Sequence, residues 1–133
     1  MVVQAQRARR DLQRRHDVTA LNGFGFEYTS QHGGHVPQSQ SDVDDLNSHY
    51  FGSYFDPASV TPYTIHYRSE SESHSDVPPV GTIYYELGHW CNRGPESMPD
   101  DPTDPIAGND TDLSKYVVYT SLENGGIACA DNK

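Results

Sequence analysis

A chain of 133 residues and 14.8 kDa has room for one domain, and a hydrophobic fraction of 34% with a mean hydropathy of -0.77 leaves it only a small core. Leu, Ile, Val and Phe number 24 in all, which with a formal charge of -10 borders on the composition of disordered chains; nine Tyr and one Trp weigh the other way. No apolar run approaches the roughly 20 residues of a membrane span, and none near Met1 has the form of a secretory signal.

Charge is unevenly placed. Arg7, Arg9, Arg10, Arg14 and Arg15 against Asp11 give the first 15 residues a net of +4, so the rest carries -14. Such a basic segment on an acidic body suits docking on acidic protein or phosphate. Acids favour Asp over Glu and bases favour Arg over Lys, a bias expected both from adaptation to high salt and from GC-rich coding.

From Val3 to Arg15 good helix formers run without Gly or Pro. Ala5, Ala8 and Leu12 make a thin apolar stripe, with Arg7, Arg10 and Arg14 on another face. So narrow a stripe does not fold alone, and residues 1–16 are expected to form a basic helical arm that orders against a partner. Beyond Asn22-Gly23, the alternation of Phe24, Phe26 and Tyr28 with Gly25 and Glu27 predicts a strand with one aromatic face. Residues 30–41 read as a polar loop.

Ser41 offers an N-cap, acids follow it, and Val43, Leu46 and Tyr50 keep helical spacing, predicting a short helix from about Asp42 to Phe51 that Gly52 stops. Tyr63, Ile65 and Tyr67 alternate with Thr64, His66 and Arg68, and Thr82 to Leu87 (TIYYEL) is a second strand. An antiparallel pair with a long loop over 69–80 is the simplest connection. Residues 92–112 are rich in Pro, Asp, Gly and Asn, and Pro blocks regular pairing there. Lys115 to Leu122 and Ile127 to Ala130 flank Asn124-Gly125-Gly126 as a hairpin. These elements predict a mainly β fold: a small antiparallel β-sandwich or barrel over 17–133, with one short helix and long loops behind the arm.

Cys91 and Cys129 are too few for a disulfide framework, and without an export signal two free thiols are the favoured reading. If bridged, they close a loop of about 39 residues worth about 2–4 kcal/mol. His32, His35, His89 and Cys91 carry zinc-ligand chemistry at no known finger spacing, and surface histidines are preferred. Asp100, Asp101, Asp104, Asp110 and Asp112, with Asn109, crowd oxygen ligands into a Pro-stiffened loop, where calcium is the alternative to a hydrated acidic loop. The EF-hand spacing fails there, and no GxSxG, HExxH or phosphate loop marks an enzyme.

Tyr50, Phe51, Tyr54 and Phe55 form a dense aromatic patch; with Trp90 they are candidate interface residues, balanced against use as core. Basic segment, aromatic patch and small core together lead to the expectation of a structural or assembly subunit with protein partners. The combination is similar in kind to accessory virion proteins of the capsid decoration, turret or head–tail connector type, located in virion or cytoplasm. Nucleic-acid contact by the arm would be weak and salt-sensitive. The second expectation is a cation- or glycan-binding β module built on the 100–112 loop and the His and Trp residues.

Overall fold

In a computed structural model, the structure describes residues 2–68, 78–91, 106–107, 115–123 and 126–132. A single helix, α1, runs from Val2 to Gln31 without a break. It is followed by α2, Gln40–Leu46, and a π-helical turn, Asn47–Phe51. Strands β1 (Thr64–Arg68), β2 (Thr82–Leu87), β5 (Tyr116–Ser121) and β6 (Ile127–Asp131) form one sheet in the order β1-β2-β5-β6. Strands β3 (Trp90–Cys91) and β4 (Ile106–Ala107) pair as a separate short ribbon.

The fold is therefore not mainly β, and the expected sandwich or barrel is replaced by one open mixed sheet with α1 and α2 packed on one face. Period-2 alternation assigns side chains to faces. Ile65, Ile83, Tyr85, Tyr116, Val118, Ala128 and Ala130 meet the helices, joined by Val18, Leu21 and Tyr28 of α1 and Val43 and Leu46 of α2. The opposite face gathers Val117, Tyr119, Ile127 and Cys91 with Tyr84 and Cys129. Of the small aliphatic complement, most described Leu, Ile and Val side chains go into these two layers, and buried tyrosines enlarge both.

Three expectations need correction. Residues 24–28 are helical, not a strand. The inner face of α1 follows Asp11, Arg14, Val18, Leu21, Gly25 and Tyr28, alternating steps of three and four, all of them buried. Half of that face is charged or lacks a side chain, so a hydrophobic period is invisible there. Gly25 is needed at its place: a Cβ would collide with the Tyr116 hydroxyl, which donates to the Asn22 carbonyl at 3.0 Å. Second, β1 and β2 pair in parallel, in the register Ile65–Ile83 and Tyr67–Tyr85. Third, Cys91 and Cys129 form a disulfide, with Cα atoms 5.9 Å apart, that fastens β3 to β6. The Cys91 amide reinforces it by donating to Asp131 Oδ2 at 2.8 Å.

Within 92–112, where Pro is expected to block regular pairing, Ile106 and Ala107 nevertheless pair with Cys91 and Trp90, since neither is a proline; the sheet strands and α2 follow the pattern in the sequence more closely. The second strand is Thr82–Leu87, as expected, and β5 and β6 pair antiparallel across the Gly126 turn. Helix α2 begins slightly earlier than expected because Ser39, not Ser41, caps it, accepting from the Asp42 amide at 3.2 Å. The connection over 69–77 lies outside the described residues.

Candidate interaction surface

The five arginines expected to act as one arm divide into two groups. Arg14 is fully buried. Its Nε donates to Asp56 Oδ1 at 2.8 Å, and its Nη1 to Asp11 Oδ1 at 2.9 Å and Glu123 Oε2 at 2.7 Å. Arg10, half-buried, grips the same Glu123 with Nε and Nη2 at 2.6 and 2.8 Å. The Glu123 amide returns a bond to Asp11 Oδ1 at 2.9 Å. One helical turn later, Asp17 accepts from the Tyr63 hydroxyl at 2.6 Å and from Gln13 Nε2 at 2.8 Å. This network bolts α1 to the β5–β6 turn through Glu123, and to the 56–63 loop through Asp56 and Tyr63.

The electrostatics match that geometry. Burial works against the Arg14 charge, but the hydrogen bonds it donates to Asp56 and Glu123 outweigh it and raise its pKa above the ordinary value. The hydrogen bonds from Arg10 and Arg14 hold the Glu123 carboxyl at about 2. Burial would raise Asp56, yet the Arg14 bond and the Ser59 and Ala58 amides bring it below its usual value. Desolvation, then the bond to Asp17, raises the Tyr63 phenol.

Arg7, Arg9 and Arg15 belong to the second group. Residues 5–9 are all exposed, so α1 leaves the body at about Arg10 and continues as a free-standing helical end; Arg15 is half-buried on its flank. Among the described residues, the large apolar side chains open to solvent are Leu12 and Phe26 on α1, and Phe55, Val60 and Val80 in loops.

The aromatic candidates separate as well. Phe51 is core, stacked on Tyr54 at 4.6 Å between ring centroids and packed on Tyr63 at 5.5 Å. Tyr50 and Tyr54 are half-buried against Phe24 of α1, and Phe55 stays exposed. The surroundings of the Trp90 side chain lie outside the description, as do Asp100, Asp101, Asp104, Asp110 and Asp112. Cys91 is bridged, which removes the thiolate from the zinc quartet. His32 and His35 are exposed, and His32 Nδ1 donates to the Tyr28 carbonyl at 2.8 Å. Among the described residues no group of three or more His, Cys, Asp or Glu is placed to hold a metal ion, and no helix is long and apolar enough to cross a membrane.

Two charged clusters were not legible beforehand. Asp56 and Glu123 sit in loops with no motif; the one available signal was Asp11, a lone acid three residues from Arg14 in a basic segment. On the outer sheet face, Arg68 Nη1 donates to the Tyr119 hydroxyl at 2.8 Å while its guanidinium lies 4.8 Å from the Tyr84 ring centre. Glu86 and His89 are buried beside them. The shared strand face of His66 and Arg68, and of Tyr84 and Glu86, was the available signal there.

The chain matches no protein-family model, and no curated protein or solved structure is significantly similar to it.

Proposed function

We propose that this chain is a structural subunit of a larger protein assembly, an accessory component of a particle such as a virion, which binds neighbouring subunits and carries out no catalysis. One observation carries the reading: the exposed helical end formed by residues 5–9, continuous with a helix that Arg10 and Arg14 lock to the body. A free arm must meet the cost of helix nucleation when it binds. Here the nucleus is the anchored part of α1, so the projecting turns are already organised for a partner.

The chemistry of that end suits protein. Arg7 and Arg9 are exposed there, and Arg is enriched at interfaces; elsewhere on the surface Phe26 and Phe55 expose aromatic rings, which interfaces also favour. Few phosphate contacts are available to so small a basic group, and the acidic remainder of the chain repels a polyanion. An acidic protein surface is the partner these charges favour.

The test is removal of residues 1–9. This leaves Arg10, Asp11 and Arg14 in place, so the shortened chain should keep its melting profile and fail to enter its particle. A shortened, folded chain that still enters at parental occupancy overturns the reading. Deletion through residue 15 does not discriminate, because it also removes the buried Arg14 and so the fold.

A further inference from the structure

We propose that the Cys91–Cys129 disulfide is a redox latch: a dithiol opens it, the short β3–β4 ribbon leaves the outer face of the sheet, and the helix-covered face stays folded.

The two faces of the sheet have separate cores, and the bridge belongs to only one of them. The helix-side core gathers Val18, Leu21, Val43, Leu46, Ile83 and Tyr85 with their neighbours and contains neither cysteine. Arg14, which fixes α1 through Asp11, Asp56 and Glu123, touches neither cysteine as well. Cys91 and Cys129 lie in the smaller outer cluster, with Val117, Tyr119, Ile127 and Tyr84. The constraint lost on reduction therefore falls on the outer layer.

The ribbon is poorly able to hold that place by itself. Strand β3 is two residues long and pairs with only Ile106 and Ala107 of β4, apart from the main sheet. So short a pair of strands is not stable alone in water. It is tied to β6 by the disulfide and by the bond from the Cys91 amide to Asp131 Oδ2.

The groups beneath the ribbon favour its release. The Tyr119 hydroxyl accepts from Arg68 Nη1 at 2.8 Å and donates to Glu86 Oε2 at 3.4 Å. Arg68, Glu86 and His89 are all buried, and His89 adjoins β3 in the chain. Opening the helix side would put aliphatic side chains into water. Opening this side returns ionisable groups to it, and their hydration offsets the lost contacts.

Access fixes the order of steps. Cys91 is buried and Cys129 half-buried, so a thiolate of the dithiol attacks the Cys129 sulfur. The S–S bond breaks, and Cys91 leaves as a thiolate and takes a proton. The second thiolate of the reductant then displaces Cys129 and closes the reductant's own disulfide. Two electrons and two protons pass from the dithiol to the protein, leaving two thiols.

The test is amide hydrogen exchange of the full chain, followed residue by residue by NMR, before and after treatment with dithiothreitol. In the oxidised chain the Cys91 amide should be protected. After reduction it should exchange within about tenfold of an unstructured peptide, while the Val18, Leu21 and Leu46 amides stay slowed at least about a hundredfold. Re-oxidation with oxidised glutathione should restore protection at Cys91. The double variant Cys91→Ser, Cys129→Ser should show the reduced pattern with no reductant present. Persistent protection at position 91 in the reduced chain or in the double variant overturns the proposal. So does loss of protection at Cys91 and along α1 together, which would make the bridge a staple of the whole fold, or failure of re-oxidation to close the ribbon.

Discussion

Replacing Arg14 with Met removes one guanidinium and leaves its volume roughly filled. The structure sets the size of the effect. Arg14 is fully buried and contacts Asp11, Asp56 and Glu123, and without it three carboxylates share one site. Some compensation remains: Arg10 still holds Glu123, and the Ala58 and Ser59 amides still donate to Asp56. Removing one partner of a buried ion pair costs about 3–5 kcal/mol, a large part of the roughly 5–15 kcal/mol that stabilises a domain. For a chain of this size that corresponds to a fall of about 10–20 °C in Tm at pH 7. Arg14→Lys, which keeps the charge and loses the fork, should fall in between. The assay is thermal unfolding followed by circular dichroism across pH. Glu123 is held at about 2 and Asp56 is also lowered, so their contribution is complete above the ordinary carboxylate pKa. It is lost as pH falls towards 2, where the unfolded state binds the protons first. The gap between the parent and Arg14→Met should therefore narrow from pH 5 downward. A variant within 1 kcal/mol of the parent at pH 7, or a gap that widens in acid, refutes the view that this cluster anchors α1.

Reduction of the Cys91–Cys129 bridge, which closes a separation of 38 residues, should cost about 2–4 kcal/mol; a Tm unchanged by reductant would show that the bridge contributes nothing. Gly25→Ala should destabilise by about 1–3 kcal/mol, although Ala is the better helix former, because its Cβ meets the Tyr116 ring. Tyr116→Phe should relieve part of that cost in a double-mutant cycle measured by urea unfolding, and strictly additive effects would contradict the contact. Val60, exposed and held at φ 54 in the loop that Asp56 ties down, is a β-branched residue in the left-handed region; Val60→Gly should stabilise by about 1 kcal/mol, and a loss of Tm would contradict the strain.

The strands were legible because their signal is local. Thr82–Leu87 and Tyr116–Ser121 carry β-branched and aromatic side chains, and the spacing of Val43, Leu46 and Tyr50 marks α2. The extent of α1 was not, since its inner face uses Asp11, Arg14 and Gly25 where a hydrophobic period looks for aliphatics. The alternation of Phe24, Phe26 and Tyr28 serves two different surfaces: Phe24 and Tyr28 pack inward and Phe26 points out. Whether β1 and β2 run parallel, and whether two cysteines meet, depends on pairings between distant segments that no local spacing encodes. The arginines stand out as a group in the sequence, yet only the partners Asp56 and Glu123, 42 and 109 residues from Arg14, divide them into anchor and exposed end.

That division is the centre of the account, and amide hydrogen exchange along α1 tests it directly. In the dilute isolated chain, residues 5–9 should exchange rapidly while the stretch from Asp11 to Tyr28 is protected. In the assembled particle, residues 5–9 should slow by at least tenfold. Equally rapid exchange of residues 5–9 inside the particle would contradict the claim that the projecting end of α1 is where this subunit docks.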